Sequence, residues 1–284
     1  MFGVCDEVGA TVWLWLAALK QAKAGEVVFV PDGVEMDLTG KQGIALPSGV
    51  TLAGTRGLKG SAGARLFDTL RQSHTLMSTA GEGVRVTGLR FEGAFAGTDR
   101  VADMSGFLSI SHYGAEVDNC EISSFNCLGI GVGNGAIGVR VHHNFIHHCQ
   151  LTGYGYGVCL GEGYVEVVAN KLDYCRHVIA ATGIPGCGYE AAWNLVGPHA
   201  TSHHFDMHGG SDRGDATDIA GDWMSVHHNT FLGEQHAVVI RGVPSQGVDI
   251  HHNWFAQPAQ ETVISGGNTR VSRNLCGPEK RLEE

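Results

Sequence analysis

No two of the 8 cysteines are spaced as a CxxC pair, which excludes a zinc site built on cysteine. Long apolar runs are missing too. The most hydrophobic stretch, Thr11 to Leu19, is too short to span a bilayer. It has no basic residue before it and no clear cleavage site, so it does not read as a secretory leader. Basic residues are in deficit: 19 Lys and Arg stand against 29 Asp and Glu, a net charge of −10. That balance argues against nucleic acid as a partner, while local Arg residues or a bound cation leave an anionic substrate open. Proline is scarce at 7, whereas glycine reaches 42 without a collagen period, about twice its ordinary usage. Such a chain suits many short strands joined by sharp corners.

What is present is a repeated phrase: an apolar residue, two variable residues, Asn, one residue, and another apolar residue. It runs from Val141 to Ile146 around Asn144, from Val167 to Leu172 around Asn170, and from Ala191 to Val196 around Asn194. It continues around Asn229, Asn253 and Asn274. Successive Asn residues lie 26, 24, 35, 24 and 21 positions apart. A period in this range marks a solenoid. Degraded copies put Cys120 and Leu89 at the Asn position, so that position points inward, and a buried Asn there must be hydrogen-bonded. The expectation is a single all-β domain over 1–284, with coils of about 24 residues over 25–277. A capping helix over 11–24 covers one open end, and a charged, frayed tail occupies 278–284.

A second element aligns on its terminal glycine: Tyr154–Gly161, Arg176–Gly183, Ser202–Gly209, Gln235–Gly242 and Gln260–Gly266. Strand alternation puts Ile179, Phe205 and Val238 in one inward column and Ala181, Met207 and Ile240 in the next. The residues between them face out. One outward column then holds His177, His203 and His236, another holds Thr182, His208 and Arg241, and a third holds Asp206 between Ala180 and Val239. The long interval exceeds an ordinary coil by about eleven residues, 35 against 24, and its source is Gly209–Asp218, a polar lip beside Asp206 and His208. Cys149 and Cys175 each follow a ladder Asn by five residues and should stack on adjacent coils, bridged or free.

The Asn ladder, the Val30-Pro31-Asp32-Gly33 and Leu46-Pro47-Ser48-Gly49 corners, and the helix ahead of them together resemble the right-handed parallel β-helix of the pectate-lyase-like superfamily. The resemblance covers nearly the whole chain. It implies that the outward strand face forms a substrate groove, with a polysaccharide or oligosaccharide as partner. Charge and the lack of a spanning segment argue against a nucleic-acid or membrane partner, a monomer is expected, and the compartment stays open, with a secreted protein in an extracellular or periplasmic setting as the expectation. The calcium-binding Asp set and Arg-Pro signature of the pectate lyases are not found. Calcium-dependent pectate cleavage is therefore not expected.

Within that groove the sequence offers a catalytic set of His208, His177, Asp206, Arg241 and Tyr154, and a substrate-binding set of Arg176, Tyr156, His203, His236 and Arg213. β-Elimination on a uronate polymer needs a base, a cation for the carboxylate and an acid for the leaving oxygen. His208 is the expected base, with His177 second and Asp206 orienting an imidazole. Arg241 or Arg176 would hold the carboxylate, and Tyr154 or Tyr156 would be the acid. Glycoside hydrolysis is the alternative, pairing Asp206 with Asp212, Asp215, Asp218 or Glu162. A divalent metal ion (zinc, copper or iron) held by His204, Asp206 and His208 with neighbouring histidines is a third reading. Since adjacent strand residues face opposite ways, His203 and His204 cannot both ligate on a regular strand. A non-enzymatic carbohydrate-binding solenoid is the fourth. The paired histidines of the Asn phrase, His142, His143, His227, His228, His251 and His252, read as repeat decoration or turn hydrogen bonding.

Overall fold

A computed structural model of the protein describes residues 8–99 and 101–277. Among the described residues each coil but the last contributes one short strand to each of three all-parallel sheets, and the last contributes to two. Sheet 1 has ten strands, from Val27–Phe29 to Thr269–Ser272. Sheet 2 has ten, from Glu35–Asp37 to Leu275–Cys276. Sheet 3 has nine, from Ile44–Leu46 to Val263–Ser265. The architecture is a single right-handed parallel β-helix. The helix α1 (Val8–Gln21) begins and ends three residues earlier than expected. It buries Val12, Trp15 and Leu19 against the first coil and leaves Trp13 and Leu14 outside. The expected tail, 278–284, lies outside the described residues, as does Cys5.

The Asn phrase spans two strands, not one. Asn144 sits at the corner between the strands Ala136–His142 of sheet 1 and Phe145–Cys149 of sheet 2. Its Oδ1 accepts the backbone N–H of Cys120 at 2.9 Å, and its Nδ2 donates to the Val117 carbonyl and to Asn170 Oδ1. The same bonds recur at Asn170, Asn194, Asn229 and Asn253 and run on to Asn274. The residue before each Asn is left-handed: His143, Ala169, Trp193, His228, His252 and Arg273 all have φ between 54 and 59°. A left-handed residue lets the chain turn sharply enough to start the next strand, and non-glycine side chains adopt it at some cost. In exchange, that side chain is thrown outward, and the stack gains ring contacts discussed below.

Stacking equivalent residues builds the core. Val86, Val117, Val141, Val167, Ala191, Val226 and Ile250 are in register in sheet 1. In sheet 3 the register places Ile179, Phe205 and Val238 in one inward column and Ala181, Met207 and Ile240 in the next, as the alternation requires. Cys149 and Cys175 are in register and both are free, as are all cysteines among the described residues. Gly183 and Gly209 end their sheet 3 strands for a steric reason. A side chain at Gly183 would collide with the His208 carbonyl of the next coil, and one at Gly209 with that of Arg241. Gly183 also has φ +67°, so it is both conformationally and spatially fixed as glycine.

Candidate active site on the outer wall of sheet 3

The strand Phe205–Met207 turns Phe205 and Met207 inward and Asp206 outward, between Ala180 and Val239 of the flanking coils. Asp206 nevertheless has no exposed surface, because its neighbours close over it. Arg241 grips it twice, Nε to Oδ1 at 3.2 Å and Nη2 to Oδ2 at 2.6 Å. His208 Nε2 lies 2.9 Å from Oδ2 and His203 Nε2 lies 3.1 Å from Oδ1. Burial alone would favour the neutral acid. The bonds from His203, His208 and Arg241 outweigh it and hold the carboxyl far below the usual carboxylate range. An ionised carboxylate can only accept, so His208 presents its Nε2–H to Asp206 and leaves Nδ1 on the outer side. His208 and Arg241 are each about a quarter to a third exposed, at 27% and 31%.

The second outward column is a stack of rings. Tyr156 lies 5.9 Å from His177, nearly parallel, and His177 lies 4.0 Å from His203. His177 is fully buried. Its Nδ1 stands 2.7 Å from the His203 carbonyl, and its Nε2 points at Asp206 Oδ2 from 3.9 Å without a hydrogen-bond partner. Burial, and then the adjacent His203, push its pKa down to about 3. It is therefore a neutral ring beneath the outer wall, closed off from solvent, and does not fit the expected role of second base. Tyr156 is almost buried, and burial raises its phenol to about 12. Tyr154, in the turn that leads into the strand Tyr156–Leu160, is 46% exposed. Arg176 is part-exposed; its backbone N–H bonds the Cys149 and Gly155 carbonyls, while its guanidinium makes no hydrogen bond or ion pair among the described residues. His236 continues the column at the exposed edge, where its Nδ1 meets the Glu261 carbonyl at 3.1 Å.

Two expectations need correction. His204 faces the interior, packed 5.8 Å from Phe231, with burial pushing its pKa down to about 4. It lies just ahead of the strand Phe205–Met207, turned into the core and away from the outer wall where Asp206 sits, and does not join Asp206 as a metal ligand. Arg213, expected to bind substrate, is spent on structure: it donates to the carbonyls of Thr182 and Ile219, both at 3.0 Å, and pairs with Asp215 at 2.7 Å. It braces the inserted segment. That segment contains the short helix α2 (Gly210–Arg213), whose Asp212 reaches Arg241 Nη1 at 2.6 Å. Arg241 thus bridges two carboxylates. This link was not legible, because a loop inserted into a repeat carries no register. The lip itself was marked by the long Asn interval.

No family model matches the sequence, and no curated protein matches it by sequence. Among solved structures, an alginate lyase from Paenibacillus sp. str. FPU-7 is similar over 93% of this chain and 92% of its own, with a TM-score of 0.64 at 14% identity. The Dettilon tailspike protein is similar over 96% of this chain and 59% of its own, with a TM-score of 0.56 at 11% identity. At such identities the likeness is one of fold.

Proposed function

We propose that the chain is a carbohydrate-active enzyme, a polysaccharide lyase that cleaves a uronate-containing polymer by β-elimination along the outer wall of sheet 3. The observation that carries this reading is a part-exposed His208 whose Nε2 is anchored on the ionised, buried Asp206. The anchor fixes the tautomer and aims the Nδ1 lone pair outward, as a general base requires. Nδ1 takes the proton α to the uronate carboxylate. The electron pair forms the carbon–carbon double bond, the bond to the glycosidic oxygen breaks, and that oxygen takes a proton from Tyr154. Arg176, unpaired within the described chain, neutralises the uronate carboxylate so that the enolate can form. Hydrolysis fits less well. A catalytic acid needs a raised pKa, whereas Asp206 is held far below the carboxylate range and has no exposed oxygen.

The test is absorbance from unsaturated chain ends on a panel of uronate polymers, beginning with alginate, the substrate in the name of the similar lyase. The expected outcome is absorbance with the wild type and a loss of roughly 10²–10⁴-fold in kcat with His208→Ala. Cleavage without a double bond would transfer the chain to the hydrolases, and full activity in His208→Ala would remove His208 from the chemistry.

A further inference from the structure

We propose that His177, His203 and Asp206 form a binding site for a borderline divalent cation, zinc being the best fit, in the floor of the groove. One nitrogen of each imidazole and one carboxylate oxygen lie within 4.8 Å of one another. The shortest separations go to different oxygens of Asp206: His203 Nε2 lies 3.1 Å from Oδ1 and His177 Nε2 lies 3.9 Å from Oδ2. Tetrahedral zinc with bonds of about 2.0–2.1 Å places its ligands roughly 3.4 Å apart, so small side-chain adjustments close the site. Two imidazoles and a carboxylate are donors suited to zinc over calcium or magnesium.

The decisive feature is the orientation of His177. A carbonyl oxygen can only accept, so Nδ1 carries the proton that bonds the His203 carbonyl at 2.7 Å. In the neutral ring Nε2 is then a bare lone pair. It is fully buried, has no donor, and faces an ionised carboxylate. A lone pair facing a carboxylate across 3.9 Å gains nothing from it, whereas a cation between them gives the imidazole its missing partner. The bond from Nδ1 to a backbone carbonyl is the arrangement that orients metal-ligating histidines. Neutral His203 joins by moving its proton from Nε2 to Nδ1, where Ser202 Oγ stands 3.5 Å away. Arg241 keeps its grip on Asp206 and His208 remains outside the ligand set, so a fourth position opens toward the groove.

The other carboxylate–imidazole cluster, Glu116, Asp118 and His142, is a useful contrast. There Asp118 receives bonds from Arg85, Thr87 and Asn119, and His142 Nε2 rests on Glu116 at 2.7 Å. That cluster is internally paired and has no buried nitrogen seeking a partner.

The site stands whether or not the chain is a lyase, so its test reads metal and not activity. The purified chain is incubated with ZnCl2, passed through a desalting column and assayed for bound zinc, with Co²⁺ substitution read by visible absorption. The expected result is one equivalent per chain in the wild type and in His208→Ala. In His177→Asn, which keeps the donor to the His203 carbonyl but lacks Nε2, affinity should fall at least tenfold, and likewise in His203→Ala. Circular dichroism without metal identifies a variant that fails to fold. Should His177→Asn do so, the less buried His203→Ala decides alone. The competing location for zinc is the outward imidazole pairs, and a His228→Asn, His252→Asn double variant reports binding there. Loss of zinc in that variant, zinc retained in the folded ligand variants, or none bound by the wild type would overturn the proposal.

Discussion

Asp206 is a charged side chain with no exposed surface, and four neighbours decide what that costs. Its closest partner is Arg241, whose guanidinium is about one third exposed and is shared with Asp212. Removing one partner of a buried pair leaves an uncompensated charge, at about 3–5 kcal/mol. Because Arg241 reaches solvent and His203 and His208 still stand 3.1 and 2.9 Å from the carboxylate, Arg241→Ala is expected at the low end, about 3 kcal/mol. Adding Asp206→Asn should restore part of the loss, since the orphaned charge disappears. Denaturant melts of the two single variants and the double variant check this; strictly additive losses would mean that the pair is not coupled. Alternation alone was enough to put Asp206, His208 and Arg241 on one wall. It could not foresee that Asp206 would be roofed over, that His177 would sink beneath His203, or that Arg213 would turn to backbone carbonyls. Those outcomes depend on side-chain reach and on the inserted loop, neither of which a two-residue period encodes.

At the scale of strands and corners, the Asn ladder does most to hold neighbouring coils in register. Asn194 accepts from the backbone and side chain of Asn170 and donates to the Val167 carbonyl and to Asn229. Asn194→Ala leaves a buried N–H on one coil and a buried carbonyl on another. At about 1–3 kcal/mol per orphaned group, the loss should be roughly 3 kcal/mol, seen as a lower urea midpoint with little change in slope. Asn274→Ala, at the part-buried end of the ladder, should cost clearly less; equal losses would mean that burial does not set the strength of these bonds. This element was the most legible part of the chain because it is written at a fixed interval by a residue with a single plausible reason to be buried. The short strands of sheet 2, such as Glu35–Asp37 and Arg65–Phe67, were not legible. Each has one inward residue in three, too brief for a period to show. They exist because the coils above and below supply their hydrogen bonds.

Taken as a whole, the molecule repeats whatever its corner residues do, so a modest property is multiplied along the axis. The left-handed corner throws one side chain outward per coil, and where these are rings they pile up with their neighbours. Trp193 stacks on His228 at 4.1 Å, His228 on His252 at 5.1 Å, and His227 on His251 at 5.0 Å. Partial burial, and then the neighbouring imidazoles, hold His228 and His251 below the ordinary histidine value. The groups facing them include Glu190 against His227, and Asp249 and Arg270 against His251. Asp249 favours the charged ring and Arg270 opposes it. A histidine whose folded pKa is depressed binds fewer protons folded than unfolded. Its contribution is complete above the unfolded value of about 6.5 and is lost as pH falls through the folded value. The stacked corner should therefore loosen in mild acid while the carboxylates are still ionised. The expected outcome is a melting midpoint that declines from pH 7 to pH 5 in the wild type. The decline should be shallower in the His228→Asn, His252→Asn variant, since Asn tolerates the left-handed corner and does not titrate. His177, also depressed but remote from this corner, keeps its share of the decline in both proteins, so the difference between the two slopes isolates the stack. Parallel slopes would show that the outward rings are passengers of the fold and that the acid sensitivity resides elsewhere.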